Sequence, residues 1–211
     1  MTTLLGTAVD RLEPLPVEPG AGRYAAAVRS SVLFVCVGNV CRSPLAEHLL
    51  RQRLDEAGVA EQFEVASAGV RAVHGGAIHP ESARTLAALG GDATGFVARQ
   101  LQPPYALSAD LVLTATRRLR SHVLEEAPRA LRRTFTIREF ATLAASVQDG
   151  ARDLEELVAR CAEARGTVRP DDYDVPDPIG RSPEVFDGVA DLLDREVGRV
   201  AEILVGLTPT S

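Results

Sequence analysis

The chain has 211 residues, a mass of 22.5 kDa and a formal net charge of −6. That size suits one domain with an appendage, and that charge gives no electrostatic case for nucleic acid or an anionic membrane surface. Hydrophobic residues at 45% and charged residues at 25% describe an ordinary globule; no apolar run approaches a membrane span, and three cysteines, an odd number, argue for a reducing, cytoplasmic compartment rather than a disulfide framework.

Residues 1–30 hold Pro14, Pro16, Pro19, Gly20 and Gly22. They lack the basic start and apolar core of a secretory leader, and read as an irregular arm before a single domain over 31–211. Val32–Val37 is a short apolar run rich in β-branched residues, which predicts a buried strand. Gly38 and Asn39 are turn residues, and Ser43-Pro44 reads as N-cap and first helical position. Leu45, Leu49, Leu50 and Leu54 then recur at helical spacing, predicting a helix that ends near Gly58.

The loop between this strand and this helix carries Cys36 and Arg42 with five residues between them. Such a loop points several backbone N–H groups into one concavity, which suits a tetrahedral oxyanion. Arg42 at its lip can grip two anion oxygens with its planar fork. A thiol at its floor, beside a guanidinium and a helix N-terminus, is expected to ionise and act as a nucleophile. Ser43 is placed to donate a hydrogen bond to the Cys36 sulfur. Asn39 is expected to bond within the loop and to tolerate a left-handed backbone. Cys41 lies five residues from Cys36; oxidation is expected either to link the two thiols or to leave Cys41 a small packed residue.

Further along, Phe63–Ala68 predicts a second strand and Pro80–Leu89 a helix stopped by Gly90-Gly91. Val97–Leu101 and Pro103-Pro104 read as a loop around the site mouth, with Arg99 a solvated cation. Ala109–Thr114 predicts a third strand, Thr116–Ala127 a helix ended by Pro128, and Phe135–Ile137 a fourth strand. Leu154, Leu157, Val158 and Cys161 form a helical stripe within Asp149–Ala164, followed by an irregular Gly166–Asp172. Asp174–Gly180 is a loop rich in Pro, Asp and Gly. Pro183–Leu207 is a long amphipathic helix capped by Ser182. His48, His74, His79 and His122 are scattered, with no two at a metal-ligand spacing. The alternation of strands and helices predicts an α/β fold: a doubly wound three-layer sandwich with a four-stranded parallel sheet flanked by helices. Ligands bind such sheets at the carboxyl ends of strands, where Cys36 lies.

The string CVGNVCRSPLAE, with Ser67-Ala68-Gly69, the ADLVLTAT run and Arg138-Glu139-Phe140-Ala141, resembles the low-molecular-weight protein tyrosine phosphatase family. The resemblance covers about Val32 to Leu207. It implies a cysteine-dependent phosphatase in which Cys36 attacks phosphorus, Arg42 holds the phosphoryl oxygens and Asp177 of Asp177-Pro178 serves as general acid. It implies a phosphate loop of Val37, Gly38, Asn39, Val40, Cys41 and Ser43, with Asp174 ordering the acid loop. No metal or cofactor is required; a phosphorylated protein is the implied substrate and a cognate tyrosine kinase a partner. Two departures stand out. Residues 141–170 read as a surface insertion, and Ile179 stands where many relatives carry aromatics. Three rival readings remain. Relatives that hydrolyse phosphoarginine offer a hydroxyl at the place of apolar Val40. Thiol-dependent arsenate reductases need further cysteines, which Ser67–Leu101 lacks. A silent phosphoprotein-binding module would not need Cys36, Arg42 and Asp177 together.

Overall fold

The computed structural model describes residues 29–167, 170 and 172–207. The arm read over 1–30 thus lies almost wholly outside the described residues. Four parallel strands, β1 (Ser30–Cys36), β2 (Phe63–Gly69), β3 (Leu111–Thr114) and β4 (Thr134–Thr136), are ordered β2-β1-β3-β4. Seven α-helices accompany them among the described residues: α1 (Arg42–Glu56), α2 (Pro80–Ala88), α3 (Pro103–Ser108), α4 (Arg117–Glu126), α5 (Ile137–Val147), α6 (Leu154–Glu163) and α7 (Pro183–Gly206). None of them is long and apolar enough to cross a membrane.

The two-residue period of β1 builds the three layers. Val32, Phe34 and Cys36 enter one core with Leu45, Leu49 and Leu50 of α1 and Leu193, Val197 and Val200 of α7. Leu33 and Val35 enter the opposite core with Ala106 of α3 and Val123 of α4. A strand apolar on both faces needs cover on both, which is the parallel-sheet solution. Each large side chain withdrawn from water here contributes about 1.5–3 kcal/mol. Phe34 is fully buried, and its truncation to Ala is expected to lose about 3–5 kcal/mol. The same parity sets Cys36 at the carboxyl end of β1, on the α1 side.

Three expectations are corrected. The segment after Val97–Leu101, read as loop, includes α3: its prolines sit in the first turn, where their missing N–H groups are not needed. Helix α5 begins where the sequence predicts the end of a strand, Phe135–Ile137, and runs into the segment expected as an insertion. Its start is a capping box, in which Thr136 Oγ1 accepts from Glu139 N–H at 3.1 Å and Glu139 Oε2 accepts from Thr136 N–H at 3.2 Å. Helix α6 falls where the extra helix was expected, but 141–170 is not a surface appendage. Phe140, Leu143 and Ala144 of α5 and Leu154, Leu157 and Cys161 of α6 are buried in the same core as β1. An amphipathic helix must cover its stripe, and α6 does so against α5.

Candidate active site

From Cys36 to Cys41 the main chain turns its carbonyls back into the protein. Cys36 O accepts from Val70 N–H at 3.1 Å, Val37 O from Arg71 at 2.9 Å and Gly38 O from Val73 at 2.9 Å. Val40 O accepts from His79 N–H at 2.7 Å and Cys41 O from Leu45 N–H at 3.1 Å. Among the described residues, the N–H groups of Gly38, Val40, Cys41, Arg42 and Ser43 have no protein acceptor. Drawing the carbonyls to one side leaves the N–H groups on the other. The loop is therefore a nest with free donors, continued into the first turn of α1, whose N–H groups have no intrahelical partner.

Cys36 lies at its centre. Its Sγ accepts from Asn39 N–H at 3.2 Å and from Ser43 Oγ at 2.9 Å. The expected bond from Ser43 is thus present, and it explains a shift in the helix start. Helix α1 begins at Arg42, the cap position is Cys41 without a side-chain cap, and the Ser43 hydroxyl serves the sulfur instead. Pro44 falls third in the helix, still within the turn that needs no donor.

Asn39 is the keystone of the loop. It is fully buried with φ +54°, the one left-handed non-glycine among the described residues, a conformation Asn tolerates better than most side chains. Its Nδ2 donates to Ser43 Oγ at 3.0 Å and to Ser67 Oγ at 2.7 Å, and its Oδ1 accepts from Arg99 N–H at 2.9 Å. Arg99 is exposed as expected, yet its main chain and its Nε, which donates to Ser67 O at 2.7 Å, fasten β2 beside the loop. Gly69 permits this closeness, since a Cβ there would stand 2.6 Å from Val37 O and 2.8 Å from Asn39 N. In the sequence Ser67-Ala68-Gly69 carries only the family resemblance; a Ser-x-Gly at the carboxyl end of a neighbouring strand is the signal for a buttress.

Arg42 is 4% exposed and spans to the far loop. One guanidinium nitrogen donates to Val175 O at 3.1 Å and the other to Asp177 Oδ2 at 2.7 Å. Val175 is itself pinned by its N–H to Ala115 O at 2.8 Å. The structure thus joins the phosphate loop and the Asp-Pro loop, 135 residues apart. Asp174 does not enter this contact. Its Oδ1 accepts from Arg117 N–H at 2.8 Å, the loop-ordering role read for it.

Cys41 is buried, and burial pushes its thiol up from 9.0 to about 11, against the pull of a hydrogen bond to Ser82. Burial likewise pushes Cys161 in α6 up to about 12. Both are neutral thiols near pH 7. A cavity of about 570 Å³ lies elsewhere, between α1 and the start of β2 around Arg51, Phe63 and Val65, and holds none of these groups.

The fold and site define a doubly wound α/β protein with a thiol beneath an anion nest. The family described as low molecular weight phosphotyrosine protein phosphatase matches residues 31–164. The low molecular weight protein-tyrosine-phosphatase Ptp of Acinetobacter johnsonii is 30% identical over 107 residues, 51% of this chain and 71% of that protein. A protein-arginine-phosphatase of Geobacillus stearothermophilus is 31% identical over 173 residues, 82% of this chain and 95% of that protein. The crystal structure of the tyrosine phosphatase Wzb from Escherichia coli K30 with sulphate superposes with a TM-score of 0.63 and 25% identity, covering 83% of this chain and 98% of that one. The chain belongs to the low molecular weight phosphotyrosine protein phosphatase family.

Proposed function

We propose that the protein hydrolyses phosphotyrosine in proteins through a phosphocysteine intermediate. The observation that carries the reading is the Arg42–Asp177 contact at 2.7 Å, beside a loop whose Cys36 Sγ accepts two hydrogen bonds. A phosphoryl dianion seated on the free N–H groups competes with Asp177 for the Arg42 fork, because both are acceptors for the same donors. Arg42 then grips the phosphate, and Asp177, on a loop with a half-exposed side chain, is released toward the leaving oxygen. The Cys36 thiolate attacks phosphorus in line, the ester P–O bond breaks, and Asp177 gives its proton to the departing phenol oxygen. In the second step Asp177 takes a proton from water, the water oxygen attacks phosphorus, and the S–P bond returns its electron pair to Cys36. The Ser43 hydroxyl stabilises the departing thiolate. Arg42 and the N–H nest hold the transferred group through both steps.

Phosphotyrosine is preferred to phosphoarginine because Val40, at the loop position where relatives with that activity offer a hydroxyl, is apolar. The substrate wall is aliphatic, with Val73 and Ile179 at 55% and 50% exposure. The partner is a phosphorylated protein, whose phosphate a cognate tyrosine kinase supplies, and three free, buried cysteines fit a reducing, cytoplasmic compartment. The test is a panel of phosphotyrosine, phosphoserine and phosphoarginine peptides, with acid-quench mass spectrometry of the Cys36 peptide. A phosphoryl adduct on Cys36 and turnover of the phosphotyrosine peptide above the others are expected. Turnover without any adduct, or turnover of the phosphoarginine peptide alone, overturns the reading.

A further inference from the structure

Building on that reading, we propose that the surface around the pocket selects phosphoproteins whose phosphorylated residue is flanked by acidic residues. The chain as a whole carries a net charge of −6, yet the segments that frame the loop are set with arginines. Arg71 belongs to the stretch whose N–H groups clasp the phosphate loop, its own bonding Val37 O at 2.9 Å. Arg181 closes the Asp-Pro loop, its N–H bonding Pro178 O at 3.0 Å. Arg118, in the first turn of α4, adjoins Arg117, whose N–H holds Asp174 at 2.8 Å.

The carboxylates of the same rim are already engaged. Asp177 is tied to Arg42 at 2.7 Å, Asp174 to Arg117 and Asp172 to Arg138 at 3.0 Å. Glu184, at the start of α7, is held by a hydrogen bond from Ser182, which draws its carboxyl below the ordinary range. Arg71, Arg118 and Arg181 are exposed and make no ion pair among the described residues. Unpaired cations facing solvent around an anion site raise the local concentration of a polyanionic ligand and steer its approach. Of the large exposed apolar side chains, Val73 and Ile179 stand in the same segments; Val73 Cγ2 lies 3.7 Å from where a side chain on Gly38 would begin. Aliphatic patches between arginines suit Glu side chains, whose methylenes pack while their carboxylates reach the guanidinium groups.

Three phosphotyrosine peptides of equal length test this, with Glu/Asp, Ala/Ser or Lys flanks, at low and high salt, alongside p-nitrophenyl phosphate. At low salt kcat/KM is expected to favour acidic over lysine flanks by about tenfold, mostly through KM. Each exposed pair brings only a few-fold, and salt screens it. The Arg71→Glu/Arg181→Glu double variant is expected to erase or invert that order, read as the ratio of acidic to lysine flanks within the variant, with p-nitrophenyl phosphate turnover reporting any loss common to all substrates. Flank effects below about twofold, or an acidic preference that survives the double variant, overturn the proposal. Binding of the same peptides to Cys36→Ser protein reads the rim without turnover. If no phosphate ester is hydrolysed, the phosphatase reading fails, and the flank order in binding still decides the rim.

Discussion

The two loops that meet at Arg42 are built in opposite ways. In the phosphate loop Cys36, Asn39, Cys41, Arg42 and Ser43 are at most 4% exposed, and every side-chain donor of Asn39 is bonded. The Asp174–Gly180 loop has no regular structure, and the Asp177 side chain is 48% exposed. It is anchored through Val175 and Asp174, while the segment from Asp177 to Arg181 is stitched mainly to itself. An anion nest works only if its donors are fixed before the charge develops, so rigidity is the functional property there. On the proposed mechanism Asp177 must reach a leaving oxygen in one step and a water in the next, which a partly exposed side chain on an irregular loop suits. Arg42 joins the two, rooted in the buried loop with its guanidinium bonded to Val175 O and Asp177 Oδ2.

Breaking the rigid side at its centre has the largest expected effect. Cys36→Ser removes the proposed nucleophile and is expected to abolish turnover while retaining vanadate or phosphate binding, since the nest donors stay. Calorimetry and steady-state kinetics on one preparation read both. Substantial remaining turnover would remove Cys36 from its role.

Breaking the adjustable side comes next. Asp177→Asn is expected to slow turnover by roughly 10²–10⁴-fold, the usual worth of a positioned acid. The loss is smallest for p-nitrophenyl phosphate, whose leaving group needs little protonation. Asp174→Asn loosens only the Arg117 contact and is expected to do far less. The reverse ranking would place the acid on Asp174. Arg42→Lys probes the junction of the two loops: a point charge cannot hold two oxygens, and a loss of about 10²–10³-fold is expected in kcat/KM.

The buttress of the rigid loop offers a finer comparison. Gly69→Ala drives a Cβ against backbone atoms of Val37 and Asn39. It is expected to lower stability by about 1–3 kcal/mol and to impair phosphate binding. Asn39→Gly keeps the left-handed backbone but loses the bonds to Ser43, Ser67 and Arg99, whereas Asn39→Ala loses both. Thermal melts should therefore rank Ala below Gly, with both weak in kcat/KM. Equal activity of Asn39→Gly and the parent would show that only the backbone conformation matters.

The rigid loop was more legible in the sequence than the adjustable one, for a physical reason. Val32–Val37, Cys36, Arg42 and Ser43 act within one strand–turn–helix unit, so short-range periodicity and residue chemistry reveal them. The error there was local: Ser43 looks like a cap, yet the sulfur is the nearer claimant for its hydroxyl. Asn39 Nδ2 on Ser67, and Arg42 on Asp177, join residues 28 and 135 apart, and no local pattern reports such pairs. The resemblance placed Asp177, but not its contact. Helix α5 hides behind an apparent strand end, although Thr136 and Glu139 spell a capping box before Phe140. The stripe of α6 announced an apolar face correctly; what covers that face is a tertiary fact, and it turned out to be core.

The smallest expected effect concerns Cys41, a loop residue whose thiol burial holds neutral. Unfolded thiols ionise near 9.0, whereas burial holds those of Cys41 and Cys161 protonated up to about 11 and about 12. Between those values the folded state binds more protons than the unfolded state. Stability is thus fully present below pH 9 and falls as pH rises through the window. Denaturant titrations from pH 8 to 11 should show that decline in the parent and a shallower one in Cys41→Ser. The same neutrality limits redox chemistry. Peroxide oxidises the Cys36 sulfur to a sulfenic acid; attack by the Cys41 sulfur then forms the disulfide and expels water. A thiol ionising near 11 is mostly protonated at pH 7, so the cross-link is expected to form slowly there and faster at pH 8.5, with thiol reductant restoring activity. Peptide mass spectrometry after timed peroxide exposure reads it. If inactivation tracks sulfinic Cys36 with no Cys36–Cys41 peptide at either pH, Cys41 serves packing alone, and the rigid loop carries no protective thiol.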